Sequence, residues 1–121
     1  MSVGLDLDQY QLKKRVLLVF APNPSDARYR EQRAYLEEDA MLADEWRIAE
    51  FGIFEDGPSF AEERALAREE SSRARADFGV EAGAFGLRLL DLDGTEILRS
   101  SEPVPLGDFV ELMAAKAPWL L

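Results

Sequence analysis

Val16-Leu17-Leu18-Val19-Phe20-Ala21 is an unbroken apolar run rich in β-forming residues, with no polar residue alternating through it. A half-exposed strand alternates, so a continuous run of this length is a strand covered on both faces. The rest of the chain must therefore supply helices to both sides of a sheet. Pro22 ends the run, and Asn23-Pro24-Ser25-Asp26 predicts a helix start. Asn23 can cap it, Pro24 fits the first turn, and Asp26 places a carboxylate near the positive end of the helix dipole. Tyr29, Leu36, Ala40 and Ala43 then fall along one helical face, opposite Glu31, Glu38 and Glu45, with the helix ending near Asp44.

Arg47 to Phe54 reads as a second strand, and Asp56-Gly57-Pro58 as a turn. Ser59-x-x-Glu62 is a capping-box pattern that predicts a second helix carrying Phe60, Leu66, Ala67, Ala74 and Phe78, stopped by Gly79. Its polar middle, Arg68 to Arg73, fits either one exposed helix or two joined at Ser71. Asp93-Gly94 between Phe85–Leu90 and Thr95–Arg99 is a hairpin signal. Pro103 and Pro105 mark a loop; Leu106, Phe109, Val110 and Met113 recur at helical spacing, with Pro118 closing the last helix. Ahead of the first strand, Leu5, Leu7 and Tyr10 suit an edge strand or an arm packed on the domain. A strand–helix–strand opening forces two parallel strands joined by a right-handed crossover. The later hairpin and its helix complete a mixed four-stranded sheet with helices on both faces, the thioredoxin-like α/β arrangement. A ferredoxin-like sandwich would need a β-α-β-β-α-β order. One domain over residues 1–121 is expected, since this length supports one hydrophobic core.

Chemistry is bounded by what is missing. The chain has no cysteine and no histidine, which excludes disulfides, thiolate catalysis, sulfur-ligated metals, histidine triads and imidazole-bound zinc. Carboxylates, hydroxyls, Lys, Arg and Tyr remain. With 24 acidic against 14 basic side chains the net charge is −10, and the only basic triplet is Lys13-Lys14-Arg15. Such a field repels phosphate backbones, so no nucleic-acid partner is expected. No apolar run approaches the roughly 20 residues of a membrane span, so no membrane partner is expected either. Residues 1–10 lack a basic start and an apolar stretch. Taking Met1 as the native start, the expectation is a soluble cytoplasmic protein; a removed signal peptide would make it secreted or periplasmic.

Arg15-Val16-Leu17-Leu18-Val19-Phe20-Ala21-Pro22, followed by Gln32 in the next helix, resembles the opening of a cysteine-poor, peroxiredoxin-like domain of unknown function. That domain occurs in bacterial proteins and in sushi-repeat and related extracellular matrix proteins. Phe78-Gly79-Val80, Phe85, Leu89-Leu90, Asp93-Gly94, Leu98-Arg99-Ser100 and Pro103-Val104 also resemble it, in the same order, so the likeness spans nearly the whole chain. It departs at Asp91-Leu92, where the family pattern has a small residue and a lysine, and at Lys116-Ala117-Pro118-Trp119. The resemblance implies a thioredoxin-like fold and no established activity.

In thioredoxins and peroxiredoxins the nucleophile stands at the start of the helix after the first central strand, where the dipole and free N–H groups acidify it. The corresponding stretch here is Ala21 to Arg28. Ser25 cannot replace the sulfur, and no histidine is present to activate it. The proline that precedes the third strand in redox thioredoxins is also missing from Glu81-Ala82-Gly83-Ala84-Phe85. Both halves of a redox site are absent.

Two uses are left. The leading one is a non-catalytic thioredoxin-like domain that mediates protein interaction or self-association as a homodimer. Trp119, Leu120 and Leu121, three large apolar residues at the chain end, either fold back beside Leu5, Leu7 and Tyr10 or are offered to that partner. The alternative is an enzyme or sensor that binds a small anion at the helix start through Asn23, Ser25, Asp26 and Arg28, with Arg99 as a second clamp. No catalytic residue, cofactor or metal is expected. Glu37-Glu38-Asp39 points its carboxylates round a helix, and Asp91-Leu92-Asp93-Gly94 lacks the later ligands of a calcium loop.

Overall fold

The computed structural model describes residues 7–116. After a 3-10 turn at Asp8–Tyr10 come β1 (Arg15–Ala21), α1 (Ala27–Glu38), α2 (Ala40–Glu45) and β2 (Ile48–Phe54). Two short strands follow, β3 (Phe60–Ala61) and β4 (Arg64–Ala65), then α3 (Arg68–Asp77), β5 (Gly86–Leu90), β6 (Glu96–Ser100) and α4 (Leu106–Lys116). The sheet order is β4-β3-β2-β1-β5-β6. β1 runs parallel to β2 from Arg15↔Ile48 to Ala21↔Phe54 and antiparallel to β5. The apolar run is thus the centre of the sheet.

All seven residues of β1 are buried, and their alternation divides the core in two. Leu17, Val19 and Ala21 meet Tyr29 and Leu36 of α1 and Leu106, Phe109 and Met113 of α4. Val16, Leu18 and Phe20 face Ala74 of α3, with Leu7, Tyr10, Phe78 and Val80 packed around them. Each large side chain so buried contributes about 1.5–3 kcal/mol. The segment before β1 is a packed arm rather than an edge strand: the Tyr10 ring stands edge-on to Phe51 at 5.2 Å. Leu5 and the Pro118–Leu121 end lie outside the described residues. Among those described, no helix is long and apolar enough to cross a membrane.

Four sequence expectations are corrected. The sheet has six strands rather than four, because Ser59–Glu62 starts no helix. The Ser59 hydroxyl instead accepts from the Phe54 N–H at 2.8 Å, closing the turn out of β2, and Phe60 and Ala61 return as β3. Gly52 makes this possible, since a Cβ there would collide with the Phe60 ring paired opposite it. Glu62 turns the chain at φ 56° and pairs with Lys14. The following helix begins only at Arg68 and continues unbroken through Ser71; the Glu70 carboxylate accepts the Ala67 N–H at 2.9 Å.

Next, α1 begins at Ala27, not at Pro24, and its N-cap is Asp26 rather than Asn23. Asn23 is used locally, its Oδ1 accepting from the Ser25 N–H at 2.9 Å. The long helix to Asp44 is really two, separated at Asp39. Finally, Arg15 is no member of a basic surface triplet. Its side chain is 1% exposed, lies over the Trp46 ring, donates from Nη1 to the Trp46 carbonyl at 2.8 Å and sets Nε 3.2 Å from Asp91.

Candidate functional site

β1 delivers the chain through Pro22 to the start of α1, where a thioredoxin-fold nucleophile would stand. Asp26 caps that helix start. Its carboxylate accepts the backbone N–H groups of Arg28 at 2.9 Å and Tyr29 at 3.4 Å, and the Arg28 guanidinium forks onto the same group through Nε at 3.0 Å and Nη2 at 2.8 Å. These bonds, Arg28's first, hold the Asp26 carboxyl below its ordinary value of 3.8. The N–H donors that would acidify a thiol or bind an anion are thus already occupied by an internal carboxylate.

The surroundings tighten this closure. Arg28 Nη2 also donates to the Gly83 carbonyl at 3.2 Å, and its guanidinium lies 5.9 Å from the Phe85 ring. The Gly83 N–H donates to both Glu55 oxygens at 3.0 and 3.1 Å, and Glu55 pairs with Arg75 of α3 at 3.1 Å. The 55–58 turn closes from the other side. The Asp56 N–H donates to the Pro22 carbonyl at 2.9 Å, and Gly57, at φ 114°, is so near Pro24 that a Cβ would sit 2.8 Å from its ring. Only glycine meets both demands.

Among the sequence candidates, Asn23, Ser25, Asp26 and Arg28 do lie together at the start of α1. Their polar groups are turned on one another: Ser25 supplies its backbone N–H to Asn23, and Arg28 spends its charge on Asp26. Arg99 stands apart on β6, paired with Glu96 at 3.2 Å. Gln32, singled out by the resemblance, is fully buried and bonds both ways to residue 104: Nε2 donates to the Val104 carbonyl at 3.0 Å and Oε1 accepts its N–H at 2.8 Å. It pins the loop before α4 to α1. Trp119, Leu120 and Leu121 lie outside the described residues.

Sequence reading passed over two buried arginines, Arg15 and Arg88, and the partly buried Glu50. Glu50, on β2, pairs with Arg33, which also reaches Glu37 at 3.3 Å; burial first of all pushes the Glu50 carboxyl up. The phenol of neighbouring Tyr29 is pushed up to about 12, chiefly by burial and next by the Glu50 charge. Arg88 sits in the middle of β5, and a charge inside Gly86-Leu87-Arg88-Leu89-Leu90 was the visible signal for it. Among the described residues, no group of three or more Asp, Glu, His or Cys side chains is placed to hold a metal.

A central parallel β1–β2 pair, an antiparallel β5–β6 hairpin and helices on both faces define a thioredoxin-like domain, here with a carboxylate cap at the start of the helix that follows β1. The crystal structure of the reduced 2-Cys peroxiredoxin of Plasmodium vivax superposes with a TM-score of 0.69 over 91% of this chain and 81% of that one, at 15% identity. At that identity the likeness shows the fold alone. No curated protein matches the chain. Residues 6–113 match the model of a domain of unknown function, DUF4174, and the chain belongs to that family.

Proposed function

We propose that this chain is a non-catalytic thioredoxin-like domain that acts by binding a protein partner or a second copy of itself. The observation that carries the reading is the Asp26–Arg28 fork, which occupies the start of α1 from within. Thiol chemistry needs a cysteine, and the chain has none. Serine chemistry at Ser25 needs a base, and the neighbouring Asp26 carboxylate is engaged by Arg28 and by the N–H groups of α1. A scaffold without a reacting group has its surface to offer. The anion-binding alternative at Asn23–Arg28 gains no support from this geometry, because Asp26 already takes the N–H donors and Arg28's charge.

Purified protein is expected to show no peroxidase, disulfide reductase or disulfide isomerase turnover. Turnover that survives repurification and disappears in Ser25→Ala would overturn the reading. Sedimentation velocity of the full chain and of a chain lacking Trp119–Leu121 separates the two partners. A dimer that becomes a monomer on truncation means self-association through those residues. A monomer in both directs the reading to a different protein.

A further inference from the structure

Arg88 is placed as few charges are. Its side chain is only 8% exposed, on a strand otherwise apolar. Nη2 donates to the carbonyl of Phe78, which closes α3, at 3.1 Å, and Nη1 to the Leu87 carbonyl at 2.8 Å. These bonds fix the guanidinium and explain its orientation. They do not explain a second guanidinium beside it. Arg99 is paired with Arg88 across the β5–β6 ladder, and the irregularity at Leu89/Leu90 brings Glu96 to the same face. One carboxylate serves both: Glu96 accepts Arg99 Nε and Nη2 at 3.2 Å each, and lies 3.8 Å from Arg88 Nε, which is buried without a hydrogen-bond partner. Charges on an edge strand commonly block unwanted pairing. That accounts for Arg99, 62% exposed on β6, but not for a buried arginine one strand inward.

The two arginines line one open cleft of about 440 Å³ between the 79–86 loop and β6. Val80 is the partly exposed apolar residue of its lining, which also includes Ser100 and Ser101. Gly86 leaves the space free, since a Cβ there would come within 3.3 Å of Arg88 Nη1 and 3.5 Å of Val80. Glu81 also borders the cleft, exposed, and makes no ion pair with either arginine. We propose that this cleft binds an oxyanion on a small organic body, an organic carboxylate or a phosphate monoester. Arg88 and Arg99 grip the charged end, and Val80 contacts the apolar one. Planar guanidinium forks match both oxyanions, and a fixed arginine loses little freedom in binding one. The site is separate from the start of α1 and does not depend on the interaction reading.

The test follows the arginine Nε–Hε resonances of ¹⁵N-labelled protein at pH 7 and constant ionic strength. Benzoate and phenyl phosphate are titrated, with chloride as control. The expected result is a saturable shift at Arg88 and Arg99 with one or both probes; saturation by only one names the source of the oxyanion. Arg99→Gln, at an exposed position, should weaken binding about tenfold while leaving the amide spectrum folded. Glu96→Gln should tighten it about threefold, because the shared carboxylate competes with the ligand. Linear shifts no larger than those with chloride would overturn the proposal. So would an Arg99→Gln titration identical to that of the parent.

Discussion

The 79–86 loop has two sides, and they differ in how charge is answered. Toward α1, Gly83 sits between Arg28 and Glu55, and each charged group there has a partner within about 3 Å: Arg28 on Asp26, Glu55 on Arg75. Toward β6, Arg88 and Arg99 divide a single carboxylate above an open cleft. The first arrangement is complete and stabilises a fold. The second leaves donor capacity over. The start of α1 is therefore the closed side, and the open one faces β6.

The largest expected effect comes from Arg88→Met. It leaves the carbonyls of Phe78 and Leu87 without their donor, which should cost about 2–3 kcal/mol in urea unfolding. A variant as stable as the parent would mean that α3 needs no closure from β5, and would assign the guanidinium to the cleft alone.

Asp26→Ala should cost about 1–2 kcal/mol, the usual worth of an N-cap. Because the folded carboxyl lies below its ordinary 3.8, this contribution is fully present above about pH 4 and fades as pH falls through the folded value. Chemical denaturation at pH 7 and at pH 2–3 should thus show the gap between parent and variant closing in acid. A gap unchanged by pH would place the cap's worth in geometry rather than charge.

The smallest effect is expected from Arg99→Gln, within about 0.5 kcal/mol of the parent, since its pair with Glu96 is exposed. A clear loss of stability would make the two sides of the loop alike, and would turn the cleft arginines into structural ties.

Much of the fold was legible because its strongest signals were local. The run Val16–Ala21 could only be a covered strand, and Asp93-Gly94 with Gly94 at φ 88° could turn a hairpin. The Ser59–Glu62 pattern misled because the same serine oxygen can accept from a helix N3 or from a strand residue behind it. Gly52, seven residues earlier, decided between them by admitting Phe60. Likewise Asn23 and Asp26 both suit an N-cap, and only contact with the 83–85 and 55–57 segments selects Asp26. The closed state of the site was half visible, in the absence of cysteine and histidine. Arg28's fold-back and the shared Glu96 were not, because the first is a side-chain conformation held from Gly83 and the second depends on the irregular register between β5 and β6.

The central claim is that the start of α1 is filled from within. The most direct measurement is a pH titration of the Asp26 side-chain carboxyl by carbon-detected NMR, repeated with about 20 mM phosphate against chloride at the same ionic strength, which matches the screening. A midpoint below 3.8, unmoved by phosphate and raised in Arg28→Gln, is the expected result, Arg28 being the first cause of the depression. A midpoint at or above that value, or one that phosphate displaces, would mean that the N–H groups at this helix start are open to a ligand, and would contradict the claim.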